Sequence, residues 1–547
     1  MISKEKPWMK YYPEEAKRLS IPKLSLNDYF KNRTKDDDIA IEYYGNNIDW
    51  KTFWEKVDLV TNALVNIGIK EGDQIPVFLQ AVPEYLYLLF ATERLGACII
   101  CRDGTIEENL YAIVNANAKT IFVHDFLNND DAIKMREAGV KNIIAISPGE
   151  STKSIPDYVQ NNIDTLYNNS IEEYIPWKEF INIEVKDIPC RFNINSPLLK
   201  AYTTGTTGTS KQVIHSAQTI LGVLHPMNLY SFDTPFKFRT LHTILPPSLV
   251  AGTIAMLLSP LCSGKILVLD PFVNVNDIDL SLMLYKPNTW TMIPMFVDVI
   301  LNSDRIPEDF DLSYFVGTGC GAEFINNKKL RQIKKFFEDH KCNGLFTTGY
   351  GMSEVGSACT LPLGRETFEN FCYGVPLPLA TISIFKESTD EELGYNELGE
   401  VCVSGPGVMM GYDNEEVTKQ CLFKHSDGQV WFHSGDIGYM TEDGLLYVLN
   451  RNYIKHVSGG NLFVSVMENK IVDVKGIKDC FFITKPDTEH KGFYVSKLFL
   501  IPEENANIDD IIKEIKVKLD NYEYPQEIEI LKERPFFHFK TARKLLS

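Results

Sequence analysis

The sequence predicts an α/β protein: a large N-terminal domain of layered, largely parallel sheets and helices with a β-rich subdomain, followed by a small, mobile α+β C-terminal domain. Three observations carry that expectation. Short apolar runs alternate with helical periodicity up to about residue 380, β-like runs follow, and a compact mixed segment begins at residue 454. Strand and helix in alternation mark parallel sheets covered by helices.

In chain order, Ile75-Pro76-Val77-Phe78-Leu79, Thr120-Ile121-Phe122-Val123, Asn142-Ile143-Ile144-Ala145-Ile146 and Lys265-Ile266-Leu267-Val268-Leu269 read as buried strands. Residues 50–67 and 84–95 carry helical periodicity. Residues 150–190 are polar, rich in Asn and Asp and studded with Tyr, which suits a surface excursion. The most apolar stretch, 253–270, is interrupted by Pro260, Ser263, Gly264 and Lys265. It is too broken to span a bilayer and reads as buried strand plus turn. Ala380-Thr381-Ile382-Ser383-Ile384-Phe385, Glu400-Val401-Cys402-Val403 and Leu445-Leu446-Tyr447-Val448-Leu449 build the β-rich part, and 508–519 is helical. The expected domains are 1–450 and 454–547, with a hinge at 450–453.

Composition narrows the function classes. A chain of 547 residues exceeds one ordinary core, and 44% hydrophobic content argues against disorder. Lys plus Arg number 55 against 73 for Asp plus Glu, a net charge of −18. That balance opposes nucleic acid as a partner while leaving room for a local phosphate pocket. The 11 cysteines are scattered and odd in number, so neither a disulfide framework nor a zinc site is expected. The opening Met1-Ile2-Ser3-Lys4-Glu5-Lys6 is charged with no apolar stretch behind it, unlike a secretion signal. A cytoplasmic protein without a membrane span is expected.

The strongest local signal is Thr203-Thr204-Gly205-Thr206-Thr207-Gly208-Thr209-Ser210-Lys211. Glycines let backbone N–H groups turn toward an anion, hydroxyls donate further bonds, and Lys211 adds charge. The Walker spacing is absent, and in isolation the segment serves equally as a flexible surface loop. The segment resembles the phosphate loop of the acyl-adenylate-forming superfamily, which includes acyl-CoA synthetases, luciferases and peptide-synthetase adenylation domains. Ser210 stands where that superfamily has proline.

Four further segments match. Thr347-Thr348-Gly349-Tyr350-Gly351-Met352-Ser353-Glu354 is similar to the Tyr-Gly-x-Thr-Glu motif. The resemblance implies Tyr350 on adenine, Ser353 on the α-phosphate and Glu354 on Mg²⁺, a hard cation that needs a carboxylate. Just upstream, Gly321, Ala322 and Glu323 correspond to the loop bordering adenine. Trp431-Phe432-His433-Ser434-Gly435-Asp436 is similar to the segment whose aspartate binds both ribose hydroxyls. Residues 396–405 with Gly411-Tyr412 match a segment that is structural in the superfamily. The ending Lys540-Thr541-Ala542-Arg543-Lys544-Leu545-Leu546 resembles the one whose lysine reaches the α-phosphate and the acid, with Phe539 in place of the usual glycine.

Four more expectations follow from the resemblance. Thr203, Thr204, Gly205, Thr206, Thr207, Gly208 and Lys211 cradle phosphate. Arg451 contacts ribose at the hinge, where Tyr453 replaces the usual Asp or Lys, and Gly459 lines a thiol tunnel. Leu249, Gly252, Gly319 and Met352 border the acid, with Leu249 where many acyl-CoA synthetases have histidine. No acidic residue lies between 240 and 269 to meet a substrate ammonium, so an uncharged or aliphatic acid is preferred over an amino acid.

The implied activity is AMP-forming acid–thiol ligation with ATP, Mg²⁺ and CoA, Lys540, Lys211, Glu354 and Ser353 being catalytic. Loading of a phosphopantetheinyl carrier protein, release of the adenylate to another reaction, or a non-catalytic nucleotide-binding paralogue are the alternatives. The oligomeric state is not legible.

Overall fold

The computed structural model describes residues 1–203, 211–228, 238–363, 371–451, 455–537 and 539–546. A seven-stranded sheet runs, edge to edge, Leu345–Thr348, Gly317–Cys320, Thr289–Met292, Arg239–His242, Ile266–Leu269, Ile39–Tyr43 and Asn46–Asp49. Every pair is parallel except the final hairpin. An eight-stranded sheet runs Gly411–Tyr412, Gln212–Ser216, Pro197–Tyr202, Cys98–Cys101, Gln74–Phe78, Thr120–His124, Asn142–Ile146 and Ile175–Pro176. Only its first two pairings are antiparallel. Thr120–His124 is buried at every position, as a parallel strand with both faces covered must be.

Helix Pro83–Leu95 is buried on all sides except at Arg94, while Trp50–Asn66 is capped by Asp49, which accepts from Thr52 N at 2.7 Å. A five-stranded antiparallel sheet follows: Thr381–Phe385, Gly399–Ser404 and Val430–Met440, with Leu422–Lys424 and Leu446–Asn450 both pairing to Val430–Met440. From Lys455 onward a hairpin, helix Val464–Ile471, strands Ile477–Pro486, Tyr494–Pro502 and Glu527–Ile530, and helix Ile508–Lys518 enclose a separate apolar cluster. Met467, Ile471, Phe482, Leu498 and Ile515 are at its centre.

Two expectations need correction. The segment 253–270 begins as helix, not strand: a wide π-helical turn Gly252–Leu258 runs into Ser259–Cys262 before strand Ile266–Leu269. An unbroken apolar run has no period to separate a buried helix from a buried strand. Residues 150–190 are not a mere surface excursion. Helix Asp157–Leu166 buries Val159 and Ile163, Ile175–Pro176 extends the second sheet, and Trp177 and Phe180 are buried beneath it. Cys98 and Cys101 have Cys-x-x-Cys spacing, but a three-residue offset in a strand sends their side chains to opposite faces. Both thiols are free, and burial pushes each up to about 12. No helix among the described residues is long and apolar enough to cross a membrane.

Helix Ala217–Asn228 crosses the β-rich subdomain at a seam of glycines. A Cβ on Gly222 would lie 2.6 Å from Gly407 N, and one on Gly407 or Gly356 would lie 2.8 Å from Val223 Cγ2. Such contacts admit hydrogen only.

Candidate active site

In open α/β sheets, ligands bind beyond the carboxyl ends of the parallel strands. Strand Gly317–Cys320 leads there into Gly321, Ala322 and Glu323, and its neighbour Leu345–Thr348 leads into Tyr350, Met352, Ser353 and Glu354. Gly319 pairs with Thr347, so the two exits start side by side. A Cβ on Gly321 would meet nothing within 4 Å, which leaves open space beside that backbone. Ala322 sits at φ 69, a left-handed conformation that costs an L-residue about 1 kcal/mol. Met352 pairs with Ser357 and packs, half-buried, against the main core.

Tyr350 is buried, and its hydroxyl donates to Asp436 Oδ2 at 2.8 Å. Burial raises the phenol well above its ordinary range, so Tyr350 remains the donor. Arg451 Nε lies 3.6 Å from the same carboxylate oxygen, and Asp436 raises the arginine further. Glu354 belongs to a 3₁₀ turn, Ser353–Val355, fixed at two points. Met409 N donates to Glu354 O at 2.8 Å, and His215 Nε2 lies 2.8 Å from Ser353 O. Burial brings His215 down to about 4, so the ring is neutral, and a carbonyl partner requires its proton on Nε2. Tyr412 donates to Glu354 Oε1, and Lys211 Nζ lies over the Tyr412 ring.

The ends of the phosphate loop are tied: Thr203 N donates to Lys211 O at 2.8 Å, and Lys211 N donates to Thr203 Oγ1 at 3.2 Å. Thr204, Gly205, Thr206, Thr207 and Gly208 lie outside the described residues, as does Tyr453 in the expected hinge.

Lys540 enters from the C-terminal segment. Strand Lys540–Thr541 pairs with Phe536–Phe537, and Thr541 N donates to Glu323 Oε2 at 3.1 Å. Burial and the charge of Arg451 pull the Lys540 ammonium down to about 8, against the opposing fields of Glu323, Glu354 and Asp436. The Thr541–Glu323 bond thus brings the C-terminal segment to the exit of strand Gly317–Cys320. Tyr350 and Arg451 meet at Asp436, Tyr412 links Lys211 to Glu354, and the C-terminal segment brings Lys540 in beside Glu323.

Leu249 N donates to Pro246 O at 3.1 Å, and a Cβ on Gly252 would lie 2.4 Å from that same oxygen, so residues 245–252 fold tightly back. Leu249 packs, partly buried, on the apolar cluster that also receives Ile244, Met256, Met295 and Phe539. Gly459, at φ 105, turns a hairpin against Tyr522 within the C-terminal segment. Its described neighbour is thus not in the nucleotide group.

Sequence reading missed Tyr412 and His215. Tyr412 was expected to be structural, yet its hydroxyl orients Glu354. The only signal was its place in the Gly411-Tyr412 motif.

The AMP-binding enzyme family model matches residues 29–413 of the chain. The chain belongs to the AMP-binding enzyme family. Among curated relatives of this family member, "Probable 4-coumarate–CoA ligase 2" of Dictyostelium discoideum is 28% identical over 79% of this chain and 77% of its own length. The long-chain-fatty-acid–CoA ligase of Bacillus subtilis is 25% identical over 98% of this chain and 96% of its own. Among solved structures, ATP-bound MatB from Rhodopseudomonas palustris superposes with a TM-score of 0.78 at 20% identity, covering 96% of this chain and 98% of that one. The anthranilate–CoA ligase AuaEII with anthranoyl-AMP gives 0.79 at 16% identity, covering 97% and 98%. Those two likenesses concern the fold. As an AMP-binding enzyme with CoA ligases for relatives, the chain is an ATP-dependent ligase that joins an acid to a thiol through an acyl-adenylate.

Proposed function

We propose that the thiol is CoA, that the acid is uncharged and apolar, and that Mg²⁺ is held at Glu354. The observation that supports this reading best is that Thr541 N, bonded to Glu323, brings Lys540 to the strand exits beside Asp436, where Tyr350 and Arg451 meet. A carboxylate oxygen of the acid attacks the α-phosphorus of ATP, pyrophosphate leaves, and acyl-AMP forms. Lys211 and Lys540 offset negative charge that grows on the phosphates and on the attacking carboxylate. Asp436 and Arg451 hold the ribose, and Tyr350 borders adenine. The donor at Glu354 suits magnesium: a carboxylate oxygen oriented by Tyr412, the kind of hard oxygen ligand that ion takes together with substrate phosphate and water. When bound, the ion supplies charge neutralisation between the phosphates.

The smaller domain, 454–547, then turns about 450–453, withdrawing Lys540 and admitting the thiol. The CoA sulfur attacks the acyl carbonyl carbon, AMP departs, and the thiol proton is lost to solvent. One site thus serves two half-reactions through two domain orientations. Leu249 packed on an apolar cluster supports an acid without an ammonium group, since such a cation has no acidic partner in residues 240–269. Eleven free cysteines suit a reduced, cytoplasmic setting.

The test is AMP release from ATP across a panel of aliphatic, aromatic and amino acids, with and without CoA. Turnover with an apolar acid that depends on CoA supports the assignment. AMP release stimulated by a phosphopantetheinyl carrier protein and not by CoA moves the acceptor. Turnover confined to amino acids sinks the pocket reading.

A further inference from the structure

Glu400 is wholly buried on strand Gly399–Ser404, which pairs with Val430–Met440, the strand that carries Asp436. Its carboxylate collects three partners at 2.9 Å: Gly435 N donates to Oε1, while Ser388 N and His433 Nδ1 reach Oε2. Burial works to raise this carboxyl, but the His433, Ser388 and Gly435 bonds outweigh it and hold it below its ordinary value. An ionised carboxylate only accepts, so His433 Nδ1 carries a proton toward it. Behind His433, its Nε2 lies 2.9 Å from His425 Nε2, so one of those two nitrogens holds the proton between them. Cys402 completes a Glu–Cys–His grouping with metal-like spacing, but both Glu400 oxygens are already taken by N–H donors, and the grouping carries no metal argument.

The strand pairing slips between Glu400 and Cys402, and opposite that slip Gly435 adopts φ 73. Such a bulge re-aims the next side chain, which here is Asp436. A neutral acceptor could close the gap. An anion fixes the Gly435 N–H direction more firmly, because charge-assisted hydrogen bonds are about twice as strong as neutral ones.

We propose that Glu400 is a positioning residue for Asp436, acting through Gly435, and that His433 orients Glu400. The inference rests on Asp436 binding the ribose hydroxyls. It extends that reading to a buried chain of side chains that never touches the nucleotide.

The test needs no acid substrate: dissociation constants of the full-length enzyme for Mg·ATP and Mg·2′,3′-dideoxyATP, by calorimetry, alongside melting temperatures. Wild type should prefer ATP, and Asp436→Ala should erase the preference. Glu400→Gln should weaken ATP about tenfold, the scale of one charge-assisted bond, and leave dideoxyATP within about twofold. His433→Leu should behave likewise, whereas His433→Asn, whose amide still reaches Glu400, should retain the preference. Equal weakening of both nucleotides, or no change in either, while Asp436→Ala erases the preference, overturns the positioning role. Retention of the preference by Asp436→Ala is the separate sign that the ribose reading itself is wrong. If Glu400→Gln does not fold, the two His433 variants decide by the same pair of constants.

Discussion

The Tyr412 hydroxyl donates to Glu354 Oε1 at 2.7 Å while its ring centroid lies 5.0 Å from Lys211 Nζ. One side chain from the edge of the eight-stranded sheet thereby orients both the carboxylate assigned to the metal and the lysine assigned to phosphate. Tyr412→Phe should keep Lys211 in place and release Glu354. The expected outcome is a severalfold rise in the Mg²⁺ concentration giving half-maximal AMP formation, with Tyr412→Leu additionally weakening ATP. An unchanged magnesium titration for the Phe variant counts against the role of Glu354.

Lys540→Ala should remove acid-dependent exchange of pyrophosphate into ATP, by about 10²-fold or more, since one positioned charge at a transferring phosphate is worth roughly 3 kcal/mol. Thiol transfer from acyl-AMP supplied ready-made should persist within a few fold. Equal loss of both half-reactions shows that the lysine does more than assist the displacement.

The N-terminal turn of helix Asn327–Asp339 clasps the C-terminal segment. Asn327 N donates to Asn469 Oδ1 at 2.9 Å, Arg331 pairs with Asp473 at 2.5 Å, and Lys328 donates to Ile477 O. Exposed pairs of this kind are worth up to about 1 kcal/mol each. A Lys328→Ala, Arg331→Ala double variant should therefore slow adenylation about three- to tenfold relative to thiol transfer and blunt its response to salt. Parallel losses in both half-reactions would falsify the clasp.

Phe539 stands at φ 64, where the superfamily it resembles has glycine. Phe539→Gly relieves the left-handed strain, while Phe539→Ala keeps the strain and loses the same apolar packing. Adenylation by the Gly variant should exceed that of the Ala variant by up to about fivefold, about 1 kcal/mol of closed-state stability. Equal rates would mean that strain at this bend is irrelevant.

Glu84 is buried in helix Pro83–Leu95 with Ser151 donating to Oε1, and no described partner reaches Oε2. Burial raises its pKa from 4.5 to about 7. Between those values the folded state binds the extra proton, so this group's contribution to stability is lost as pH rises from 4.5 through 7, by up to about 3 kcal/mol. Glu84→Gln should flatten that slope. Its melting-temperature gain over wild type should grow from pH 5 to pH 8, and a constant difference would show that Glu84 does not titrate there.

How much was legible in the sequence follows from range. Strands 74–78, 120–124 and 142–146 were readable because parallel buried strands are apolar runs of a few residues. The phosphate loop and the Tyr350–Glu354 segment were readable because phosphate and metal chemistry force glycines, hydroxyls and charge into a short span. Tyr412 and Glu400 were not: their partners lie 58 residues away at Glu354 and 35 away at Gly435. Only folding brings them together. The π-helical turn after Gly252 was hidden for a different reason, since apolar residues on every face erase the period that would distinguish helix from strand.

The glycine seam at Gly222, Gly356 and Gly407 has a mechanical corollary. With hydrogen as the only tenant of that joint, the turn bearing Glu354 cannot slide against the helix beneath it without a steric collision. Glu354 is therefore carried on a turn keyed into a helix rather than on a free loop, and its backbone keeps its place relative to that helix.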